Sequence, residues 1–187
     1  MDKVLMGCSV AIMLASGFEE TELTEPQRVL LKAGATLKTL SPDQGLANGW
    51  HGKGWGHFFP IDLQISEALG ADFDMLMLPG GERSITKLVR NPHTKRIVGH
   101  FLDAGKPIAA IDQGIGLLPF ARSLKGRSLA APLEVSEAIL AAGGQWIDEP
   151  VVVDGNLITA RNSEALAGFI ENMMKVFTEA GQLKKAA

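Results

Sequence analysis

The segment GKPIAAIDQGIG, residues 105–116, holds a strand, a sharp turn and a helix start in one short run. Ile108-Ala109-Ala110-Ile111 is apolar throughout, with no polar alternation. A run of this kind, bounded by turn residues, belongs to a strand buried on both faces, as in a parallel sheet. It stops at Asp112-Gln113-Gly114, and a helix is expected from there through Leu118. Small residues surround the turn. A strand that turns this sharply into a helix has the geometry of a nucleophile elbow, which pushes one side chain out above the sheet. Here that side chain is Asp112.

Two other segments follow the same plan. Residues 10–14, Val-Ala-Ile-Met-Leu, form an apolar run closed by Ser16-Gly17, and residues 75–78, Met-Leu-Met-Leu, run into Pro79-Gly80-Gly81. The sequence between and after them alternates. A helix is predicted over 20–33, with Thr21 or Thr24 as cap, Pro26 in its first turn and Gly34 at its end. A strand follows over 35–40, and a short helical turn over 66–69. Residues 84–89 and 92–104 read as a helix pair, opened by Pro92 and closed by Gly105. Residues 133–142 read as a helix ended by Gly143-Gly144. Residues 151–153 and 157–159 flank Asp154-Gly155-Asn156, a hairpin signal. The last helix spans about 164–179, with Leu166, Phe169, Ile170, Met173, Val176 and Phe177 on one face. The polar tail, 182–187, is expected to fray.

Short buried strands alternating with helices predict an α/β fold with a mostly parallel sheet covered on both faces. No repeat and no linker divides the chain, so one domain is expected over residues 1–187, with its core at about 10–177. Such sheets place their sites at the carboxyl ends of the strands. That singles out residues 16–20, 79–84 and 112–114.

Composition narrows the function classes. At 46% hydrophobic and 21% charged residues, the chain is an ordinary globular one. Its net charge of -3 supplies no basic field for a phosphate backbone, so nucleic acid is not an expected partner. One cysteine cannot build a disulfide framework and is compatible with a reducing compartment. Met1-Asp2-Lys3 lacks the pattern of a secretory leader, and no stretch nears the roughly 18 apolar residues of a membrane span. A cytoplasmic protein that contacts no membrane is expected.

At the strand ends, Asp112 faces the Pro79-Gly80-Gly81 turn, and Glu19 completes the cluster from the first strand. The Gly81 and Gln113 amides could hold a developing oxyanion. Gly80, Gly81 and Gly114 permit close backbone approach. Two carboxyl groups in a confined space share a proton near neutrality, while the dipole of the helix after Asp112 favours a charged Asp112. A charged Asp112 beside a protonated Glu19 is the expected compromise. Arg83, just past the glycine turn, either reaches an anionic substrate or is an ordinary surface arginine. His51 and His57 lack further ligands at a recognised spacing, so neither a metal nor a cofactor is expected. Trp50, Trp55, Phe58 and Phe59 lie in a glycine-rich loop or hairpin, residues 46–59, which either covers the pocket or lies in a subunit interface. The interface is the preferred expectation.

Four segments together resemble the ThiJ/PfpI family of the class I glutamine amidotransferase-like superfamily: VAIMLASGFEETEL (10–23), FDMLMLPGG (73–81), GKPIAAIDQG (105–114) and GGQWIDEPVVVDGNLITAR (143–161). They occur in family order. The resemblance implies a flavodoxin-like three-layer sandwich and a homodimer or larger homo-oligomer. It also implies a role among glyoxalases or deglycases, peptidases, hydratases and stress-associated chaperones. Members that do thiol chemistry use an elbow cysteine held by the acidic residue that matches Glu19. Peptidase-like members add a histidine after that cysteine and a glutamate past the glycine pair. At these positions this chain has Asp112, Gln113 and Ile85, and Ala131-Pro132 stands where some members have a histidine before the proline. A carboxylate is a poorer nucleophile than a thiolate.

The expectation is therefore a non-thiol binding or stress-related member without peptidase or glyoxalase activity, in which Asp112 caps its helix. The alternatives are two. One is a hydratase, lyase or isomerase using Glu19 and Asp112 as acid and base. The other is an engineered exchange of cysteine for aspartate, the substitution that mimics an oxidised cysteine.

Overall fold

The computed structural model describes residues 3–187; Met1 and Asp2, part of the start considered above, lie outside the described residues. In chain order the elements are β1 (Ser9–Met13), α1 (Glu20–Lys32), β2 (Thr36–Ser41), β3 (Leu46–His51), β4 (Gly54–Pro60), β5 (Leu63–Gln64), β6 (Met75–Leu78), α2 (Glu82–Leu88), α3 (Pro92–Asp103), β7 (Ile108–Ile111), α4 (Leu117–Ala121), β8 (Ser128–Ala130), α5 (Leu133–Ala141), β9 (Gln145–Ile147), β10 (Val151–Asp154), β11 (Leu157–Ala160) and α6 (Leu166–Ala186).

Seven strands make the main sheet, in the order β10-β11-β7-β6-β1-β2-β5. Every pairing is parallel except the β10–β11 hairpin. The three apolar runs β1, β6 and β7 lie side by side at its centre, as strands buried on both faces must. Their side chains alternate between two cores. Ala11, Met13, Leu76, Leu78 and Ala110 pack with Ile97 and Phe101 of α3 and Ile139 of α5. Val10, Ile12, Met75, Met77, Ala109 and Ile111 pack with Leu23 and Leu30 of α1 and with Phe169, Met173 and Phe177 of α6. Each of those three α6 side chains contributes about 1.5–3 kcal/mol by burial. The result is the flavodoxin-like layering of helices, mostly parallel sheet and helices.

The chain crosses β1 to β2 in one direction and returns to β6 on the other side. This topological switch opens a crevice at the carboxyl ends of β1 and β6, with the end of β7 beside it.

Several local expectations are corrected. Pro26 lies in the interior of α1, not its first turn, because the helix starts at Glu20 directly off the β1 turn. The residue at the helix start is Glu19, and neither Thr21 nor Thr24 caps it. The helical turn predicted over 66–69 is a single hydrogen-bonded turn at 65–67, with Ala68 N–H donating to Gln64 O (3.2 Å), and a separate 3-10 turn follows at Gly70–Asp72. The tail continues α6 through Ala186. Its lysines have partners: Lys184 Nζ donates to Asp74 Oδ2 (2.8 Å) and Gly7 O (2.9 Å), and Lys185 Nζ to Val4 O (3.2 Å). The small parallel pair β8–β9 was not foreseen. Among the described residues, no helix is long and apolar enough to cross a membrane.

Candidate active site at the carboxyl ends of the central strands

After Ile111 the backbone leaves extended geometry and Asp112 takes φ +56°, the only positive φ at a non-glycine among the described residues. An aspartate tolerates this region better than most residues, but the conformation still costs about 1–2 kcal/mol and needs support. Support comes from Gly114, where an added Cβ would sit 2.5 Å from Leu78 O and 2.6 Å from Pro79 O. The elbow is thereby seated on the β6 turn. That turn is closed by Gly81 at φ +106°, where a side chain would run into the Gly17 carbonyl.

The carboxyl group that meets Asp112 is Glu22. Its side chain is fully buried in the second core-facing position of α1. Gly80 N–H donates to Glu22 Oε2 (2.7 Å), and Ser163 Oγ bonds Glu22 Oε1 (2.6 Å). A Cβ on Gly80 would lie 2.6 Å from Glu22 Oε2, 2.8 Å from Asp112 Cβ and 3.1 Å from Asp112 Oδ2. Both carboxyl groups therefore close over the same bare α-carbon.

Burial, and then the Asp112 charge, push the Glu22 pKa up to about 7, against the bonds from Ser163 and Gly80. Burial also raises Asp112 to about 6, helped by the charges of Glu134 and Glu19 and opposed by a backbone bond from Gln113. Ionisation of one opposes ionisation of the other across the Gly80 α-carbon. The two titrate as a coupled pair.

Glu19, the carboxyl expected here, stands at the edge. Its backbone N–H donates to Gly80 O (3.1 Å), and its charge is the smallest named influence on both Glu22 and Asp112. Its own pKa is raised by burial. The carboxyl that shares the confined space with Asp112 is thus Glu22, with Glu19 at its edge. Glu22 stands in the first turn of α1, where the helix dipole alone accounts for a carboxylate. Yet residues 22, 26 and 30 share one buried face of α1, and a glutamate among them was the available signal. Ser163 and Glu134 come from distant segments and carried no such signal.

The expected backbone donors are engaged internally. Gly81 N–H donates to Gln113 Oε1 (3.2 Å) and Gly80 N–H to Glu22, while the Gln113 N–H lowers the Asp112 pKa. Gln113 Nε2 reaches Glu134 Oε1 (3.3 Å), across to the first turn of α5. Arg83 lays its guanidinium 3.9 Å from the Trp50 ring centroid. It lines a cleft of about 480 Å³ with Trp55, Glu82, Thr86 and Lys87. Ile85 is half-buried against the core.

The loop over 46–59 is the β3–β4 hairpin, pinned beside the site. Gly17 N–H donates to Asn48 O (2.8 Å) and Trp50 N–H to Phe18 O (2.7 Å). Beneath it Glu20 is buried; its carboxylate accepts from His57 N–H, meets His57 Nδ1 at 3.1 Å and lies 3.6 Å from His51 Nδ1. The sole thiol, Cys8, is buried before β1, at the end of the sheet opposite the elbow, with its pKa raised by burial.

The chain has relatives among known proteins. Residues 8–176 match the model of the DJ-1/PfpI family. The chain is 33% identical to deglycase TK1284 of Thermococcus kodakarensis over 168 residues, covering 89% of this chain and 98% of that one. It is 31% identical to protein/nucleic acid deglycase 2 of Escherichia coli, covering 91% and 98%. Among solved structures, a ThiJ/PfpI domain protein from Brachyspira murdochii superposes with a TM-score of 0.82 at 25% identity, covering 93% of this chain and 98% of that one.

Proposed function

The chain belongs to the DJ-1/PfpI family, and from that premise we propose that it is a member without thiol chemistry. Its site binds a small polar molecule and handles protons through Asp112, with Glu22 as the buried partner. The observation that carries this reading is the strained elbow: φ +56° at Asp112 aims a carboxyl, not a thiol, at Gly80 and Glu22. Strain of this kind persists where the surroundings enforce it, and it clusters at functional sites.

With a pKa of about 6, Asp112 is ionised at neutral pH yet remains a usable proton acceptor. It is the partly exposed member of the pair and the one that meets a ligand. Glu22 keeps its proton to about pH 7 and so spares Asp112 a second negative charge. The reaction class that fits is proton abstraction beside a carbonyl, or addition or loss of water, as in a hydratase, lyase or isomerase. Deglycase, glyoxalase and peptidase chemistry through an elbow thiol is not available to an aspartate.

A second reading, a binding module without turnover, draws on one observation: Gly80 and Gly81 both spend their N–H groups inside the protein.

The deciding experiment compares methylglyoxal consumption by the unaltered protein and by Asp112→Cys. The expected result is activity in the cysteine variant alone, from an intact scaffold given its thiol. Consumption by the unaltered protein, lost in Asp112→Asn, would overturn the exclusion of glyoxalase activity and make the carboxyl pair its catalyst.

A further inference from the structure

Gln113 follows the elbow, and its carboxamide spans the gap between two separate elements. Its oxygen accepts from Gly81 N–H at 3.2 Å, and its nitrogen donates to Glu134 Oε1 at 3.3 Å. Both distances are at the long end of the hydrogen-bond range, so the contact is one that a competitor can displace. The Gly81 N–H is held in direction by the left-handed backbone at φ +106°, and Glu134 is exposed at the start of α5.

The gap is selective in charge. Asp112 and Glu134 flank it, and the charges of Glu134 and Glu19 already act on Asp112. A carboxylate placed there would add another negative charge. A neutral carboxamide avoids that and satisfies both walls, one by its oxygen and one by its NH2 group.

We infer that the Gln113 side chain is an internal stand-in, and that the gap between Gly81 and Glu134 is a binding site for small neutral primary carboxamides. The ligand's oxygen would take the Gly81 N–H and its NH2 group would reach Glu134. In the resting protein Gln113 fills this site, and a ligand must displace it. A purely structural bridge would behave otherwise: its loss would loosen the contact between the β6 turn and α5, and nothing would refill it. The inference takes its place in function from the proposed carboxyl site beside it, but binding at Gly81 requires no turnover.

The test uses the full chain labelled with ¹⁵N, with acetamide as the probe. In Gln113→Ala the Gly81 amide resonance is expected to move, as its acceptor is lost. Acetamide should then return it toward the original position in a saturable titration. The unaltered protein should need roughly tenfold more acetamide for the same occupancy, about what one neutral hydrogen bond is worth. Acetate should fail to do this, and Glu134→Ala in the Gln113→Ala background should weaken acetamide severalfold. Should Gln113→Ala fold poorly, Gln113→Asn, shorter by one methylene, serves instead. An unmoved Gly81 resonance, an equal response of variant and unaltered protein, or acetate binding as well as acetamide would overturn the inference. Saturable acetamide binding without any Asp112-dependent turnover would keep this site and remove the acid–base reading. Turnover without acetamide binding would do the reverse.

Discussion

Glu20 and Glu22 lie two residues apart in the first turns of α1, and both are buried. Their charge states diverge. Glu20 is held below the ordinary carboxylate range: burial works against its ionisation, but His57, by ring and backbone, and His51 outweigh it. Glu22 is driven up to about 7 because burial is joined by the Asp112 charge, and two donors do not offset them. Both side chains are closed to solvent, but Glu22 lies much deeper in the protein than Glu20, so depth and partner together decide. One glutamate anchors a hairpin as an anion. The other holds a proton against the elbow.

The largest test of this contrast is Glu22→Gln. The folded-state pKa of Glu22 lies above its ordinary 4.5, so the folded chain binds more protons than the unfolded one between about 4.5 and 7. The stabilising contribution is complete below 4.5 and is lost as pH rises through about 7. A glutamine cannot ionise. It should therefore leave stability unchanged near pH 4 and raise it at pH 8 by up to about 3 kcal/mol, read from urea midpoints. A difference independent of pH would mean that Glu22 is already ionised in the fold.

A smaller effect is expected from Gly80→Ala, whose methyl enters the space the two carboxyls share. Overpacking there should destabilise the protein by about 1–3 kcal/mol and bring the Glu22 pKa down as the pair separates. Denaturation and carboxyl ¹³C titration would show both, and an unchanged titration would argue that the pair is not coupled. The smallest effect belongs to the other glutamate. His57 is 82% exposed, so His57→Ala should cost under about 1 kcal/mol, while the Glu20 pKa rises toward its ordinary value. If Glu20 does not respond in a ¹³C titration, the His57 N–H and His51 alone hold its charge.

Much of the scaffold was readable because strands buried on both faces must be apolar throughout. That constraint exposed β1, β6 and β7, and the turn residues after each marked the crevice. The elbow at Asp112 was legible for the same reason. What failed depended on phase or on distant partners. The start of α1 at Glu20 was as predicted; what was missed is that the phase of the helix turns Glu22 inward and leaves Glu19 at the cap. β8 and β9 are three residues each, too short to show a period, and they exist because they pair with each other. The helical tail meets a partner far away in sequence, where Lys184 donates to Asp74. The bridge from Gly81 to Glu134 through Gln113 joins three segments that no local pattern connects.

The order in which the sheet is covered has a consequence for synthesis. β1 is made first and sits in the middle, but the face formed by Val10, Ile12, Met75, Met77, Ala109 and Ile111 waits for Phe169, Met173 and Phe177 of α6. A nascent chain that has not yet emerged past residue 166 therefore carries an assembled strand surface half without its cover. At a synthesis pace of about 5–20 residues per second, that surface stays open for seconds. Truncation before α6 should leave a sticky sheet instead of a smaller stable protein.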